Sequence, residues 1–250
     1  MPTSPRILVT RALHQASALE AELRALGAEP VVIPSIEIVA PESFAALDNA
    51  FMAISMFDWL LFTSANAVEA ALGRGLYERW STARRRPRVA AIGNATARQL
   101  VAAGLSVELL PEKAVAESFA EVLLANSQAG QRFLLIRAAE AREVLPDALT
   151  AAGRDVVIAP AYRNVIPHES ADALRALFAT APPDAITFTS SSAVSHLLAL
   201  FEAAGIALPE NVRRVSIGPV TSATLAEAGY PAHAEAREAT VRALAEACMS

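Results

Sequence analysis

Two short segments place hydroxyl side chains where binding of an anion is easy: Phe62-Thr63-Ser64-Ala65-Asn66-Ala67-Val68 and Phe188-Thr189-Ser190-Ser191-Ser192-Ala193-Val194. In each, a β-rich run gives way to a helical one. A helix amino terminus offers unpaired amides and a positive dipole end, suited to a carboxylate or phosphate. One such turn reads best as plain N-capping; two matched ones shift the balance towards ligand binding, and make Thr63, Ser64, Ser190 and Ser191 candidate ligands. A second matched pair, Ile92-Gly93-Asn94-Ala95-Thr96 and Ile217-Gly218-Pro219-Val220-Thr221, joins a glycine to a threonine in the first helical turn. Asn94, Thr96, Gly218 and Thr221 enter on that ground, the glycine for close backbone approach and the threonine for its hydroxyl. Arg11 and Arg137 each close a strand-like run. A guanidinium there can pair with a carboxylate, at about 1.5–3 kcal/mol per charge-assisted hydrogen bond, although a helix-end salt bridge is an equal reading. Tyr162, in a proline-bracketed segment, can donate a hydrogen bond or a proton; packing of its ring between domains is the alternative.

Several chemistries are excluded. The glycine turns lack the Gly-Lys-Ser/Thr ending of a phosphate loop, and the chain has no Gly-x-Gly-x-x-Gly for a dinucleotide and no Gly-x-Ser-x-Gly elbow. His14, His168, His196 and His233 stand apart without cysteine or carboxylate at ligand spacing, so no metal site is expected. A net charge of −5 gives no general attraction for nucleic acid or anionic lipid. Arg84-Arg85-Arg86, beside Arg88, reads as a solvated loop before a strand. Cys248 is the single cysteine, which fits a reducing compartment. Met-Pro-Thr-Ser-Pro leads directly into a strand-like run, and no apolar stretch approaches the roughly 20 residues needed to cross a bilayer. A soluble, cytoplasmic protein is expected, with a monomer as the default.

The elements that must hold these residues are written twice. Arg6-Ile-Leu-Val-Thr-Arg11-Ala12 recurs as Arg132-Phe-Leu-Leu-Ile-Arg137-Ala138, and Asp58-Trp-Leu-Leu-Phe-Thr-Ser64 recurs as Asp184-Ala-Ile-Thr-Phe-Thr-Ser190, both 126 residues on. Gly27 answers to Gly153, Pro34 to Pro160 and Pro41 to Pro167 at that spacing, and Gly93 to Gly218 one residue shorter. A repeat this long is a whole domain, so two related domains around a cleft are expected. In the first copy, β-rich runs near 6–10, 30–33, 58–63, 88–92 and 106–110 alternate with amphipathic segments such as His14 to Leu26, which stops at Gly27. That alternation predicts an α/β fold with a doubly wound parallel sheet in each domain. The segments 36–41 and 160–167 read as interdomain linkers able to pair as a two-stranded antiparallel ribbon, which makes one domain 42–159 and the other 1–35 joined to 168–250. Two contiguous halves meeting near 126–130 are the alternative, disfavoured because that stretch also reads as an ordinary helix-to-strand loop.

Together these residues resemble the uroporphyrinogen-III synthases. The resemblance spans essentially the whole chain and rests on Val9-Thr10-Arg11, the Asp58 to Val68 block, Ile92-Gly93 with Thr96, Ala116-Glu117-Ser118, Ala161-Tyr162, the Phe188 to Val194 block and Ile217-Gly218-Pro219 with Thr221. It departs at Ala12, where the family usually has proline, and at Ala138-Ala139-Glu140-Ala141-Arg142, where a Gly-Glu-x-x-Arg pattern is usual. The resemblance implies two flavodoxin-like domains joined by a two-stranded ribbon. It also implies cyclisation of hydroxymethylbilane with inversion of its last ring and release of water, without metal or organic cofactor. On it, Tyr162 assists departure of the hydroxyl, and Arg11, Thr63, Ser64, Asn94, Thr96, Ser118, Arg137, Ser190, Ser191, Gly218 and Thr221 bind the substrate's carboxylates. A non-catalytic two-domain binding module for a small anionic ligand is the competing reading; Tyr162 and the polar turns favour the enzyme.

Overall fold

The computed structural model describes residues 4–250. Its strands, in chain order, are β1 (Arg6–Val9), β2 (Glu29–Val32), β3 (Glu37–Val39), β4 (Trp59–Phe62), β5 (Arg88–Ala91), β6 (Arg132–Ala138), β7 (Asp155–Val165), β8 (Ala185–Phe188), β9 (Arg213–Ser216) and β10 (Ala234–Glu235). The chain divides into two compact units: the segment up to Glu37 together with Val165–Ser250, and Ile38–Asn164.

The first unit carries a parallel sheet in the order β10-β9-β8-β1-β2. From the other edge this is the flavodoxin-like order 2-1-3-4-5, with its topological switch point between β1 and β8. The second sheet runs β3-β7-β6-β4-β5, and the pairs β7-β6, β6-β4 and β4-β5 are parallel. By the sequence repeat, β6 and β7 answer to β1 and β2, and β4 and β5 to β8 and β9. The order of these four strands is therefore the same although the chain enters it at a different strand, the fifth strand β3 lying beside β7 at the opposite edge from that held by β10 in the first sheet, and here the switch point lies between β6 and β4. Each sheet takes its first two strands from one copy of the repeat and its next two from the other.

The exchange shows in one duplicated contact. Asp58 accepts the Arg132 backbone amide at 2.7 Å, and Asp184 accepts that of Arg6 at 2.7 Å. In both cases an aspartate of one copy ties down the entering strand of the other.

The nearly continuous apolar runs are explained by burial of both sheet faces. In the second sheet Leu60, Phe62, Val89, Leu134 and Ile136 pack on one side, and Trp59, Leu61, Ala90, Phe133 and Leu135 on the other. The first sheet does the same with Leu8, Ile186 and Phe188 against Ile7, Val9, Ala185 and Val215. Several helices stop where glycine permits a left-handed residue: Gly104 has φ +86°, and a Cβ there would lie 2.9 Å from Tyr77 Cε2.

One expectation differs from the structure. The run at 106–110 is not a regular strand; only Leu109 bridges, in parallel, to Ala90. The segment from Pro160 to Val165 is extended and forms the end of β7. The arginine cluster is largely used within the fold: Arg85 pairs with Asp58 at 2.7 Å, Arg86 lies over the Trp80 ring, and Arg88 lies over Trp59 while pairing with Glu108. Cys248 is buried, which pushes its thiol up to about 12 and keeps it protonated. Among the described residues no helix is long and apolar enough to cross a membrane.

Candidate active site

In open parallel sheets ligands bind beyond the carboxyl ends of the strands, at the switch point. In the second unit that position is built by the ends of β4 and β6. Half-buried Thr63 and Ser64 follow β4 directly, and Ser64 caps the helix Ala65–Gly73 by accepting the Ala67 amide at 3.1 Å. Tyr162 reaches the same place from β7. Its arrival depends on a bulge: Arg137 pairs with Pro160, and Ala138 pairs with Tyr162, so Ala161 is the extra residue. Pro160 has no N–H to give the ladder, and a bulge of this kind re-aims the side chain that follows.

The Tyr162 ring belongs to the hydrophobic core of the unit, with the residue 8% exposed, while its hydroxyl donates to Ser64 Oγ at 3.0 Å. Burial raises the Tyr162 pKa above its ordinary value, partly opposed by hydrogen bonds to Ser64 and Asn66. The phenol is thus a persistent hydrogen-bond donor and a weak acid. The amide of Ala139 is bonded to the Tyr162 carbonyl at 2.8 Å, so at the departure from the family pattern near 138–141 this amide serves the sheet.

The two arginines, equivalent in the repeat, have different fates. Arg137 is 5% exposed, with its guanidinium on Glu143 Oε1 at 2.6 Å and on the Arg142 carbonyl at 3.1 Å, just before the helix Val144–Ala151. This is the helix-end salt bridge. Arg11, half-buried after β1, has no ion-pair or hydrogen-bond partner among the described residues, and burial lowers its pKa. An arginine remains charged regardless, so Arg11 is a partly desolvated cation in need of an anion.

Across the first unit's switch point, Ser190 caps the helix Ser191–Ala204 by accepting the Ala193 amide at 3.1 Å, which leaves its own proton to donate. Ser191 is differently placed. Thr224 gives its proton to the Val220 carbonyl, so the 2.7 Å contact between Ser191 and Thr224 has Ser191 as donor. Ser191 therefore keeps lone pairs rather than a proton for a ligand.

Asn94 is exposed at the start of the helix Asn94–Ala102, and Gly218 precedes the helix Pro219–Glu227 with no atom within 4 Å of a Cβ placed on it. Both amino termini present open amides. Thr96 and Thr221 are each only 4% exposed, so neither hydroxyl stands out from the edge as the sequence suggested. Ser118 lies on the helix Ala116–Ala125 and lines a cavity together with Glu112, Lys113, Val115, Glu117 and Glu121. Three carboxylates against one ammonium make poor surroundings for an anion.

Sequence reasoning left two features out of the site. Asn66, which bonds to the Tyr162 hydroxyl, sits inside the Thr63 to Val68 turn, and its replacement by Ser192 in the second copy was the available signal. Ser222 bridges buried Ser216, at 2.6 Å, to Glu235, at 2.5 Å, beside the β9 edge. Nothing in the local sequence signals it.

A duplicated doubly wound α/β protein, with hydroxyls, helix amino termini and an arginine that has no partner among the described residues at its switch points, is defined by this geometry. Known proteins place it further. A sequence model of the family described as uroporphyrinogen-III synthase HemD matches residues 17–246. A uroporphyrinogen-III synthase from Synechococcus elongatus is 37% identical over 95% of this chain and 92% of its own length, and one from Chlorobaculum parvum is 30% identical over 89% of each. A crystal structure of a mutant uroporphyrinogen III synthase from Thermus thermophilus shares the fold with a TM-score of 0.69 at 20% identity, covering 98% of both chains. The Helicobacter pylori uroporphyrinogen-III synthetase does so at 0.64 and 21%, also covering 98% of both. The chain belongs to the uroporphyrinogen-III synthase family, enzymes of porphyrin biosynthesis, and its activity is that of a lyase.

Proposed function

We propose that the substrate is hydroxymethylbilane, held by its acetate and propionate groups at the switch-point edges, and that Tyr162 assists loss of its terminal hydroxyl. The observation that carries this reading is the buried Tyr162 phenol, hydrogen-bonded to Ser64 at the carboxyl edge of β4. Departure of the hydroxyl leaves an azafulvene. The last ring is then attacked at its substituted carbon, inverts through a spiro intermediate and closes the macrocycle. Without a protein the same bilane closes without inversion, to the type I isomer, so the main task is to impose a conformation and only modest proton transfer is needed. Helix amino termini at Ser64, Asn94, Ser190 and Gly218, with the cation of Arg11, supply anchors of the right sign. Half-buried Thr63 stands at the same edge; Thr96 and Thr221, buried beneath it, Ser191, whose proton goes to Thr224, and Arg137 and Ser118, given their partners and surroundings, are the weaker members. The lone buried thiol fits a cytoplasmic setting, and a monomer is the simplest assembly for this reading.

The deciding experiment supplies hydroxymethylbilane and identifies the oxidised product by chromatography. Type III porphyrin in excess is expected; type I alone rejects the reading. Thr96→Ala and Thr221→Ala are each expected to raise KM a few-fold, about 1 kcal/mol per lost hydrogen bond, because neighbouring amides share the load. If steady-state kinetics with both variants match the unmodified protein, these threonines are packing residues and leave the site.

A further inference from the structure

Tyr162, Ser64 and Asn66 form a hydrogen-bond chain with a direction. The Asn66 side chain bonds to the phenol oxygen, and the phenol donates to Ser64 Oγ at 3.0 Å. Ser64 Oγ also accepts the Ala67 amide at 3.1 Å. A serine hydroxyl has two lone pairs and one proton. Both lone pairs of Ser64 are taken, so only its proton is left, and that proton has no acceptor among the described residues. The phenol proton, in contrast, is already committed.

The other unit is an internal comparison. Ser190 accepts the Ala193 amide at the same 3.1 Å, but Ile36 stands in the repeat where Tyr162 would be, and Ser192 where Asn66 would be. Among the described residues its second lone pair receives no phenol, and nothing sets the direction of its proton. Of two equivalent serines at two switch points, only Ser64 is prepared as a directed donor.

We propose that the Ser64 hydroxyl, and not the Tyr162 phenol, is the group in contact with the departing hydroxyl of the substrate, with Tyr162 and Asn66 as positioning residues that orient it. This rests on the function proposed above. In the step, the carbon–oxygen bond of the hydroxymethyl group breaks and its electron pair leaves with oxygen. Ser64 gives that oxygen its proton, so that water departs, and the Tyr162 proton moves to Ser64. The proton released from the pyrrole carbon when the ring regains aromaticity is taken up by Ser64 as Ser64 passes its own proton back to Tyr162, so no proton is gained or lost by the protein over a turnover.

The test measures kcat, KM and isomer ratio with hydroxymethylbilane for Ser64→Ala, Ser64→Gly, Ser64→Thr, Asn66→Ala, Tyr162→Phe and the double variant Ser64→Ala/Tyr162→Phe. Thermal melting serves as the folding control. Ser64→Gly is included because glycine is tolerated at a helix N-cap. Loss of the Ser64 hydroxyl is expected to lower kcat roughly 100-fold or more, within the range of general acid catalysis. Threonine, which keeps the hydroxyl and the cap, restores most of that rate. Asn66→Ala lowers kcat a few-fold and leaves KM near its original value, as a purely packing role would not. The double variant is no slower than Ser64→Ala alone, because Tyr162 acts through Ser64. A rate lower in Tyr162→Phe than in Ser64→Ala, or losses that multiply in the double variant, overturns the assignment and returns the contact to the phenol. Type III product from the unmodified protein alongside an unimpaired Ser64→Ala rejects this inference alone, whereas type I alone from the unmodified protein rejects the function beneath it.

Discussion

Replacing Arg11 by alanine is expected to raise KM for hydroxymethylbilane roughly 10- to 100-fold, while kcat changes far less. The magnitude is that of one charge-assisted hydrogen bond, about 1.5–3 kcal/mol, converted at 1.4 kcal/mol per decade of affinity. The reason is specific to this residue. Arg11 is half-buried, its guanidinium has been partly stripped of water, and no carboxylate of the described chain neutralises it. A cation in that condition gains more from an incoming carboxylate than an exposed one, since part of the desolvation is already done by folding. Because the interaction is made in ground state and transition state alike, its loss falls on KM. Steady-state kinetics across ionic strength give the check: the unmodified protein should lose affinity as salt rises, and Arg11→Ala less steeply. An unchanged KM in Arg11→Ala would remove this residue from substrate binding.

Tyr162→Phe is expected to lower kcat about tenfold with little change in KM or thermal stability. The ring remains in its hydrophobic cluster, so packing is preserved, and only the bond to Ser64 and the one from Asn66 are lost. One or two buried hydrogen bonds at about 1 kcal/mol each convert to a factor of this size. The pH dependence adds a second test. Burial raises the Tyr162 pKa above its unfolded value near 10, so the phenol is protonated throughout neutral and mildly alkaline solution. Its contribution to stability is complete below the unfolded value and is lost as pH rises through the folded one. The kcat profile should therefore show no tyrosine ionisation below about pH 10, and the Tyr162→Phe profile should have the same shape at a lower level. A limb near neutrality that disappears in Tyr162→Phe would contradict this assignment.

The turns at Thr63-Ser64 and Ser190-Ser191 were legible because capping is local: a serine three residues before the amide it accepts is visible in the sequence, and both serines make that bond. The sheets were legible for a similar reason, since runs such as Trp59–Phe62, apolar at every position, belong to strands covered on both faces. The segment at 106–110 failed as a strand for want of pairing beyond Leu109, which its own residues do not encode. Tyr162 was legible as a possible hydrogen-bond or proton donor in a proline-bracketed segment, yet its bulge, its buried ring and its partners at the start of the helix Ala65–Gly73 could not be read locally.

What the sequence determined by itself is the βα alternation, the glycine stops and the polar turns at strand ends, because each rests on residue types at short, regular separations, and the duplication, because its matched segments recur at a constant spacing of 126 residues. What only the tertiary structure decided is which strands of the two copies share a sheet, why Arg137 is spent on Glu143 while Arg11 has no partner among the described residues, and which proton Ser64 has to give. These depend on atoms brought together from as far apart as Ser64 and Tyr162. Saturation of a hydrogen-bonding group is a property of all its neighbours at once, and sequence spacing reports only the nearest of them.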